Sequence, residues 1–151
     1  PLSYFVFGLI CLFGLINVLK KKNDKKFLRK HGNHHAIQKM DWDDFELLVA
    51  AAYRKLGYKV KLSTSGADGG VDLYLTKSGA SHIVQCKHYK KQKVGVKVIR
   101  EMFGVMVGLS AESVSIVCSG GFTKEAYNFS KNKPIKLITG RELVKLIEKG
   151  S

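Results

Sequence analysis

The sequence predicts an α/β fold in which a mixed β-sheet is flanked by helices on both faces and is preceded by one transmembrane helix. Three observations support this class. Apolar residues recur at helical and strand spacings in the order αβββαβαβα, turn-forming residues separate these segments, and an uncharged apolar stretch comes first. A chain of 151 residues with 45% hydrophobic residues can bury one core of ordinary size, which excludes a disordered protein.

The amino-terminal stretch, residues 2–19, has 18 residues and no charge. As a helix it would be about 27 Å long, near the hydrocarbon thickness of a bilayer, so we predict a transmembrane helix and basic stop over residues 1–22. The basic run KKKNDKKFLRK follows this stretch, unlike in a signal peptide, and places the remaining chain in the cytoplasm at an inner or plasma membrane. A buried core helix is the alternative. Because the first residue is Pro1 rather than an initiator Met, a second alternative is that residues precede it and form a membrane hairpin with residues 2–19.

Residues 23–40 lack a sustained apolar period and contain the polar run HGNHH, so we predict a solvated linker beside the lipid headgroups. Histidine is a common metal ligand, and this segment contains His31, His34 and His35. However, neither a cysteine nor a cluster of carboxylates lies beside them in the sequence. We therefore interpret them as linker residues.

Residues 41–151 carry the predicted folded domain. Asp41 is a predicted N-cap, apolar residues follow it at helical spacing, and Gly57 is placed to end this first helix. Thr139 and Glu142 have the spacing of a capping box at the last helix, which we predict from residue 140. Between them we predict strands over residues 58–62, 71–76, 81–88, 114–118 and 135–138, and helices over residues 96–109 and 123–131.

Polar residues occupy one side of the hairpin predicted from the second and third strands. If Ser78 and Gly79 form a two-residue turn, Asp72 lies directly opposite Gln85, and Lys87 shares their face. The other face is apolar and would fill the core: Val71, Leu73, Val84 and Cys86. We predict that the polar face lines a cleft, and the alternative is an ion pair between Asp72 and Lys87 on a solvated face.

Several motifs after the linker occur in a definite order: FE in the first helix, then GADGGVDL, QCKHY, VIREMFGV, GFTKEA and ITGRELVKLI. Together they resemble the catalytic domain of the Mrr family of restriction endonuclease-like proteins, within the PD-(D/E)xK nuclease superfamily. The resemblance covers residues 40–149, so residues 41–151 are expected to form an Mrr-like nuclease domain with the restriction endonuclease-like fold. The activity that it implies is metal-dependent hydrolysis of DNA.

The resemblance implies four catalytic residues. Asp72 and Gln85 would bind a divalent cation, Mg²⁺ or Mn²⁺, and Lys87 would complete the site. Glu46 on the first helix would be a further metal ligand. Oxygen ligands suit such a hard cation, which neutralises charge and activates water, while a lysine stabilises charge that develops on the phosphate. Gln85 replaces the acid of the commonest pattern, so Glu46 matters more; an exposed helix carboxylate is the alternative for Glu46. Asp68 we interpret as a loop cap.

The formal charge of +14 indicates a polyanionic partner, either DNA or an anionic membrane surface. Residues 20–30 hold seven basic residues and one acidic residue, which leaves +8 on residues 31–151 and favours nucleic acid. The segment KHYKKQKVGVK, which begins at Lys87 and His88, suits contacts to DNA phosphates, and a solvated loop is its alternative. The predicted DNA-binding side chains are Lys90, Lys91, Lys93 and Lys97.

We therefore expect a membrane-anchored, metal-dependent DNA endonuclease that acts in restriction or in defence against foreign DNA. One alternative is a catalytically silent DNA-binding module of the same fold, although the intact acid, amide and lysine argue against it. Another alternative is a nuclease that acts on branched DNA or RNA. The sequence does not decide whether the protein is a monomer or a homodimer. Cys11, Cys86 and Cys118 are odd in number and widely spaced, so the sequence predicts neither a disulfide framework nor a zinc site.

Overall fold

The computed structural model describes residues 2–64 and 69–149, with the side chains of residue 12 and of residues 18–31 in the first helix. Its helices are α1 (Leu2–His31), α2 (His34–Lys39), α3 (Trp42–Lys55), α4 (Val96–Gly108), α5 (Lys124–Ser130) and α6 (Gly140–Lys149). Its strands are β1 (Lys59–Leu62), β2 (Leu73–Lys77), β3 (Ala80–Lys87), β4 (Lys93–Val94), β5 (Ser113–Cys118), β6 (Gly121–Phe122) and β7 (Ile135–Thr139).

Five strands form the main sheet in the order β1, β2, β3, β5, β7. The first three are antiparallel neighbours, whereas β3, β5 and β7 run parallel and are connected through α4 and α5. The mixed sheet with helices on both faces confirms the predicted α/β class. A separate pair, β4 with β6, was beyond sequence prediction because strands of two residues are too short to show a period.

Two apolar cores cover the two faces of the sheet. The first core joins α1, α2, α3 and α6 to the sheet, and Phe45 and Leu48 of α3 are fully buried in it. The second core joins α4 and α5 to the opposite face, with Ile99 and Met102 of α4 and Ala126 of α5 packed on residues such as Ile116 of β5. Burial of each large apolar side chain stabilises the fold by roughly 1.5–3 kcal/mol. The central strands are therefore held firmly from both sides.

Hydrogen bonds confirm two predicted helix boundaries. The Asp41 side chain accepts from the Asp44 amide at 2.9 Å at the start of α3, and Gly57, with φ of +88°, follows the end of this helix. At α6 the Glu142 carboxylate accepts from the Thr139 amide at 2.7 Å, and Thr139 Oγ1 accepts from the Glu142 amide at 3.3 Å. These side chains pair with amides that the first turn of a helix leaves without partners.

The predicted register of the hairpin is confirmed. Leu73 pairs with Val84, and the ladder continues to the turn, where Ser78 and Gly79 have φ of +52° and +82°. The ladder of β2 begins at Leu73 rather than at residue 71.

The prediction that Val71 shares the core of Leu73 is wrong. Val71 packs in the second core, whereas Leu73 lies in the first. Strand alternation fixes side-chain direction only within a ladder, and residues 71 and 72 precede the ladder. Both faces of the hairpin are covered, since Ile83 packs in the second core on the face that was predicted to be polar. The polar side chains are therefore confined to the end of this face.

The segment predicted as a solvated linker, residues 23–40, is helical and packs on the domain. It contains the end of α1 and all of α2. Three of its apolar side chains are buried in the first core: Leu28, Ile37 and Met40. Asp24 accepts two hydrogen bonds from Arg54 of α3, at 2.5 and 2.9 Å. The linker prediction fails because the break between α1 and α2 at residues 32 and 33 leaves no window with a sustained apolar period.

No helix among the described residues is both long and apolar enough to cross a membrane. The predicted transmembrane segment, residues 2–19, falls mostly on side chains that lie outside the described ones, so it stays a prediction. In the histidine-rich run, His31 packs on Phe27 with ring centroids 4.7 Å apart. The part of the chain that the structure describes holds no group of three His, Cys, Asp or Glu side chains placed to bind a metal.

Candidate active site

The candidate site lies at the carboxyl end of β3, beside the residue that precedes β2. Asp72 Oδ2 accepts from Gln85 Nε2 at 2.9 Å and from the Cys86 amide at 2.6 Å. The Asp72 amide in turn donates to the Val84 carbonyl at 2.9 Å. The structure therefore brings the predicted acid and the predicted amide into direct contact across the hairpin.

Gln85 is a polar side chain with only 5% exposure. Because its Nε2 donates to Asp72, its Oε1 is the oxygen that a ligand can use. Gly70 makes room for this oxygen: a Cβ atom at Gly70 would lie 2.7 Å from Gln85 Oε1, and Gly70 has φ of +87°. Both the space and the backbone conformation thus require glycine at this position.

Glu46 lies on α3, next to the fully buried Phe45 that anchors this helix. Its side chain is half-buried, and burial raises the pKa of Glu46 above its usual value. The negative charge of Asp72 raises this pKa further, whereas a hydrogen bond from the Trp42 side chain lowers it. The two carboxylates are therefore within Coulombic reach of each other.

Lys87 is the last residue of β3 and is half-buried. Its carbonyl accepts from the Ser119 amide at 3.1 Å, which fixes the strand end against β5. Burial raises the pKa of Asp72, and the Cys86 amide, Gln85 and the Lys87 ammonium each lower it. Asp72 is thus the centre of the set: it bonds Gln85 and interacts through charge with Glu46 and Lys87.

The donor chemistry of these residues fits a hard divalent cation. Asp72 and Glu46 offer carboxylate oxygens and Gln85 offers an amide oxygen, which are the ligand types that Mg²⁺ and Mn²⁺ prefer. Burial raises the pKa of both carboxyls, and the charge of Asp72 raises the pKa of Glu46 further, an arrangement in which a bound cation would favour the ionised forms. Asp68, the predicted loop cap, lies outside the described residues.

The predicted DNA-binding lysines are all exposed: Lys90, Lys91, Lys93 and Lys97. The segment that carries them is tied down at its far end, because β4 pairs with β6 and the Val94 carbonyl accepts from the Thr123 amide at 3.1 Å. The next helix, α4, then begins and carries the last of these lysines in its first turn. Their charges lie on the segment that leaves the candidate site directly after Lys87.

Sequence reasoning missed the roles of two residues. His88, expected to contact phosphate, lies 2.8 Å through Nε2 from the Met40 carbonyl oxygen and stacks on Phe45 with ring centroids 4.9 Å apart. This contact joins residues 48 positions apart, so no local pattern could show it. For Gly70 the signal was available, since a glycine-rich loop directly before a candidate metal ligand indicates close packing.

Comparison with known proteins identifies similar chains. The sequence model of Mrr-type restriction endonuclease catalytic domains matches residues 37–147, which include all four candidate catalytic residues. The uncharacterized protein y4cE of Sinorhizobium fredii is 28% identical over 97 residues, covering 61% of this chain and 25% of that protein. The chain therefore spans about a quarter of this curated relative.

Solved structures share the fold. The DNA modification-dependent restriction endonuclease AspBHI has a TM-score of 0.59 and 21% identity, over 85% of this chain and 36% of its own. The MspJI restriction endonuclease, solved in complex with a 27-mer oligonucleotide, has a TM-score of 0.50 and 23% identity, over 85% and 30%. The protein of unknown function AF1548 has a TM-score of 0.58 and 18% identity, over 68% and 64%. At these identities the likeness shows the fold alone.

Proposed function

Because this chain belongs to the Mrr family of restriction endonucleases, we propose that it hydrolyses phosphodiester bonds of DNA with the help of a divalent metal ion. One observation carries the proposal: Asp72 Oδ2 holds both Gln85 Nε2 and the Cys86 amide, beside the charges of Glu46 and Lys87. Burying polar groups of this kind at the end of a central strand costs free energy. Their presence there is explained by chemistry rather than by stability.

Three residues would hold the ion, which we take to be Mg²⁺ or Mn²⁺: Glu46, Asp72 and Gln85. When bound, such an ion neutralises charge on the phosphate and lowers the pKa of the attacking water. The bond from Gln85 Nε2 to Asp72 fixes the amide, so Oε1 is the atom of Gln85 that would bind the cation. Because Asp72 Oδ2 already accepts two hydrogen bonds, we assign its Oδ1 to the ion.

Lys87 supplies the positive charge of the site. An ammonium group is a compact charge that can orient the attacking water or stabilise the negative charge that develops on the phosphate. Its strand lies between β2 and β5 and its carbonyl is bonded to Ser119, so the position of the Lys87 backbone is set by the sheet. Pre-organisation of this kind avoids reorganisation during the reaction.

We propose duplex DNA as the substrate, with its backbone on the exposed lysines that follow Lys87. The net charge of +14 and the oligonucleotide bound by MspJI, a protein of the same fold, support this choice. Phosphate contacts carry affinity but no sequence information. Since AspBHI is a modification-dependent enzyme, modified DNA belongs among the substrates to be tried.

The test is a cleavage assay on plain, modified, branched and single-stranded DNA and on RNA, with and without Mg²⁺. We expect metal-dependent cleavage of DNA by the parent and its loss in Asp72→Asn. The matched control is Glu101→Gln, which removes an exposed carboxylate from α4 and should cut like the parent. Binding without cleavage on every substrate would favour the silent DNA-binding module, and cleavage of branched DNA or RNA alone would favour the other alternative.

We further propose that residues 2–19 anchor the chain in an inner or plasma membrane, that the domain is cytoplasmic, and that the enzyme acts in restriction or defence. The uncharged stretch and the basic run after it support this proposal. The full chain should remain in the membrane pellet after alkaline carbonate extraction, and a variant without residues 2–19 should be released. Release of the full chain would contradict anchoring.

A further inference from the structure

His88 joins the end of β3 to the start of α3. Its Nε2 lies 2.8 Å from the Met40 carbonyl oxygen, just before the N-cap of α3, and its ring stacks on Phe45 with centroids 4.9 Å apart at an angle of 26°. The hydrogen bond thus holds the residue before the N-cap, and the ring contact reaches the first turn of the helix that carries Glu46. His88 itself directly follows Lys87.

The hydrogen bond identifies the donor atom of the ring. A carbonyl oxygen only accepts, so His88 Nε2 donates to Met40. Nδ1 is buried and makes no hydrogen bond to any described residue. A buried nitrogen without a partner opposes stability, so an apolar ring would serve better here if packing on Phe45 were the whole role. The bond to Met40 is therefore what the histidine adds.

The first turn of α3 controls where the Glu46 carboxylate lies. The Phe45 amide donates to the Asp41 carbonyl at 3.1 Å, and the Trp42 side chain donates to Glu46. Glu46 is therefore one residue from the ring that His88 stacks on and four residues from its partner Trp42. A shift at the start of this helix moves the carboxylate relative to Asp72.

We propose that His88 is a positioning residue: it holds the amino end of α3 against β3 so that Glu46 reaches the metal site at Asp72. This inference rests on the proposed function, because it gives Glu46 a role in metal binding. It predicts that changes at His88 act through Glu46, although His88 touches neither the ion nor the substrate.

The chain offers a reporter that does not require cleavage. Trp42 is the single tryptophan of the sequence and bonds Glu46, so its fluorescence should respond when Mn²⁺ binds there. His88→Phe keeps the ring and loses the donor, whereas His88→Gln keeps a donor at similar reach and loses the stack. The matched control is His82→Phe within β3, where His82 also makes one hydrogen bond, to Ser113 at 2.9 Å, and one ring contact, to Tyr58.

We expect His88→Phe to raise the Mn²⁺ concentration at the midpoint of the Trp42 fluorescence change about tenfold, because loss of residues that orient metal ligands weakens metal binding by about this factor. His88→Gln should recover part of this loss. His82→Phe should leave the midpoint at the parent value. In a Glu46→Gln background His88→Phe should add little, because both changes act on the same ligand. Far-UV circular dichroism checks that each variant is folded.

Equal midpoints for His88→Phe and His82→Phe would overturn the inference, as would full additivity of His88→Phe with Glu46→Gln. A parent whose Trp42 does not respond to Mn²⁺ would also overturn it. If the parent binds Mn²⁺ but cuts no nucleic acid, the proposed nuclease activity fails, and the midpoints still decide the role of His88.

Discussion

Replacing Gly70 by alanine tests the candidate site through a single methyl group. The new Cβ would lie 2.7 Å from Gln85 Oε1, which is closer than real Cβ contacts, so the Gln85 side chain has to move. Its bond to Asp72, now 2.9 Å, would be strained or lost. We therefore expect Gly70→Ala to damage cleavage much more than it damages folding.

Gly79→Ala is the control that separates backbone strain from the clash with Gln85. Gly79 has the same backbone conformation as Gly70, but no side chain lies close to it. The φ angles are +87° and +82°, and nothing lies within 4 Å of a Cβ at Gly79. A left-handed conformation costs an alanine about 1–2 kcal/mol in either place. For a chain of this size the loss corresponds to roughly 2–4 °C in Tm per kcal/mol. Displacement of Gln85 by about 1 Å should reduce cleavage roughly 10²-fold in Gly70→Ala alone.

The assay compares the two variants in thermal unfolding and in Mg²⁺-dependent cleavage of plasmid DNA. We expect similar losses in Tm and a selective loss of cleavage in Gly70→Ala. If Gly70→Ala cuts as fast as Gly79→Ala, Gln85 Oε1 does not contribute to the reaction.

Further predictions concern charge. Reversal of Lys90, Lys91 and Lys93 to glutamate should weaken DNA binding and flatten its salt dependence, since fewer counterions are released; an unchanged slope in filter binding would contradict the assignment. Gln85→Glu should lower the Mg²⁺ concentration for half-maximal cleavage and Glu46→Gln should raise it, and a metal titration without these shifts would refute the shared site. Burial raises the pKa of Asp72 above its ordinary 3.8 and that of Glu46 above its ordinary 4.5. Both carboxyls must be ionised for cleavage, so a pH–rate profile should show activity falling on acidification before the pH reaches these ordinary values. Between the ordinary and the raised pKa values, the folded protein binds more protons than the unfolded chain, so the contribution of these carboxyls to stability falls as pH rises. If the Tm of Asp72→Asn changes with pH as much as the Tm of the parent, this prediction is wrong.

Local chemistry made the hairpin and the helix boundaries predictable. The turn at Ser78 and Gly79 fixes the pairing of the two strands, and Asp72, just before the paired residues, hydrogen-bonds to Gln85 as this register predicts. Asp41 and the pair of Thr139 with Glu142 are caps whose partners lie within three residues. Features of this kind are readable because their contacts are close in sequence.

Tertiary contacts decided what the sequence could not show. Val71 turns to the second core because it precedes the ladder, so alternation does not apply to it. Residues 23–40 pack on the domain through Asp24 with Arg54 and through buried side chains at the end of α1 and in and after α2, none of which has a local signal. The proximity of Glu46 to Asp72, which the family resemblance implied, depends on how α3 docks on the sheet.

The central claim is that Lys87 acts in metal-dependent cleavage of DNA, and one measurement tests it most directly. The rate of Mg²⁺-dependent cleavage of duplex DNA is compared for the parent, Lys87→Ala and Lys136→Ala, the last removing an exposed lysine from β7 as a matched control. Loss of the Lys87 charge should reduce the rate roughly 10²–10³-fold in a protein that melts like the parent. Lys136→Ala should cut at the parental rate. A folded Lys87→Ala variant that cuts as fast as Lys136→Ala would contradict the account.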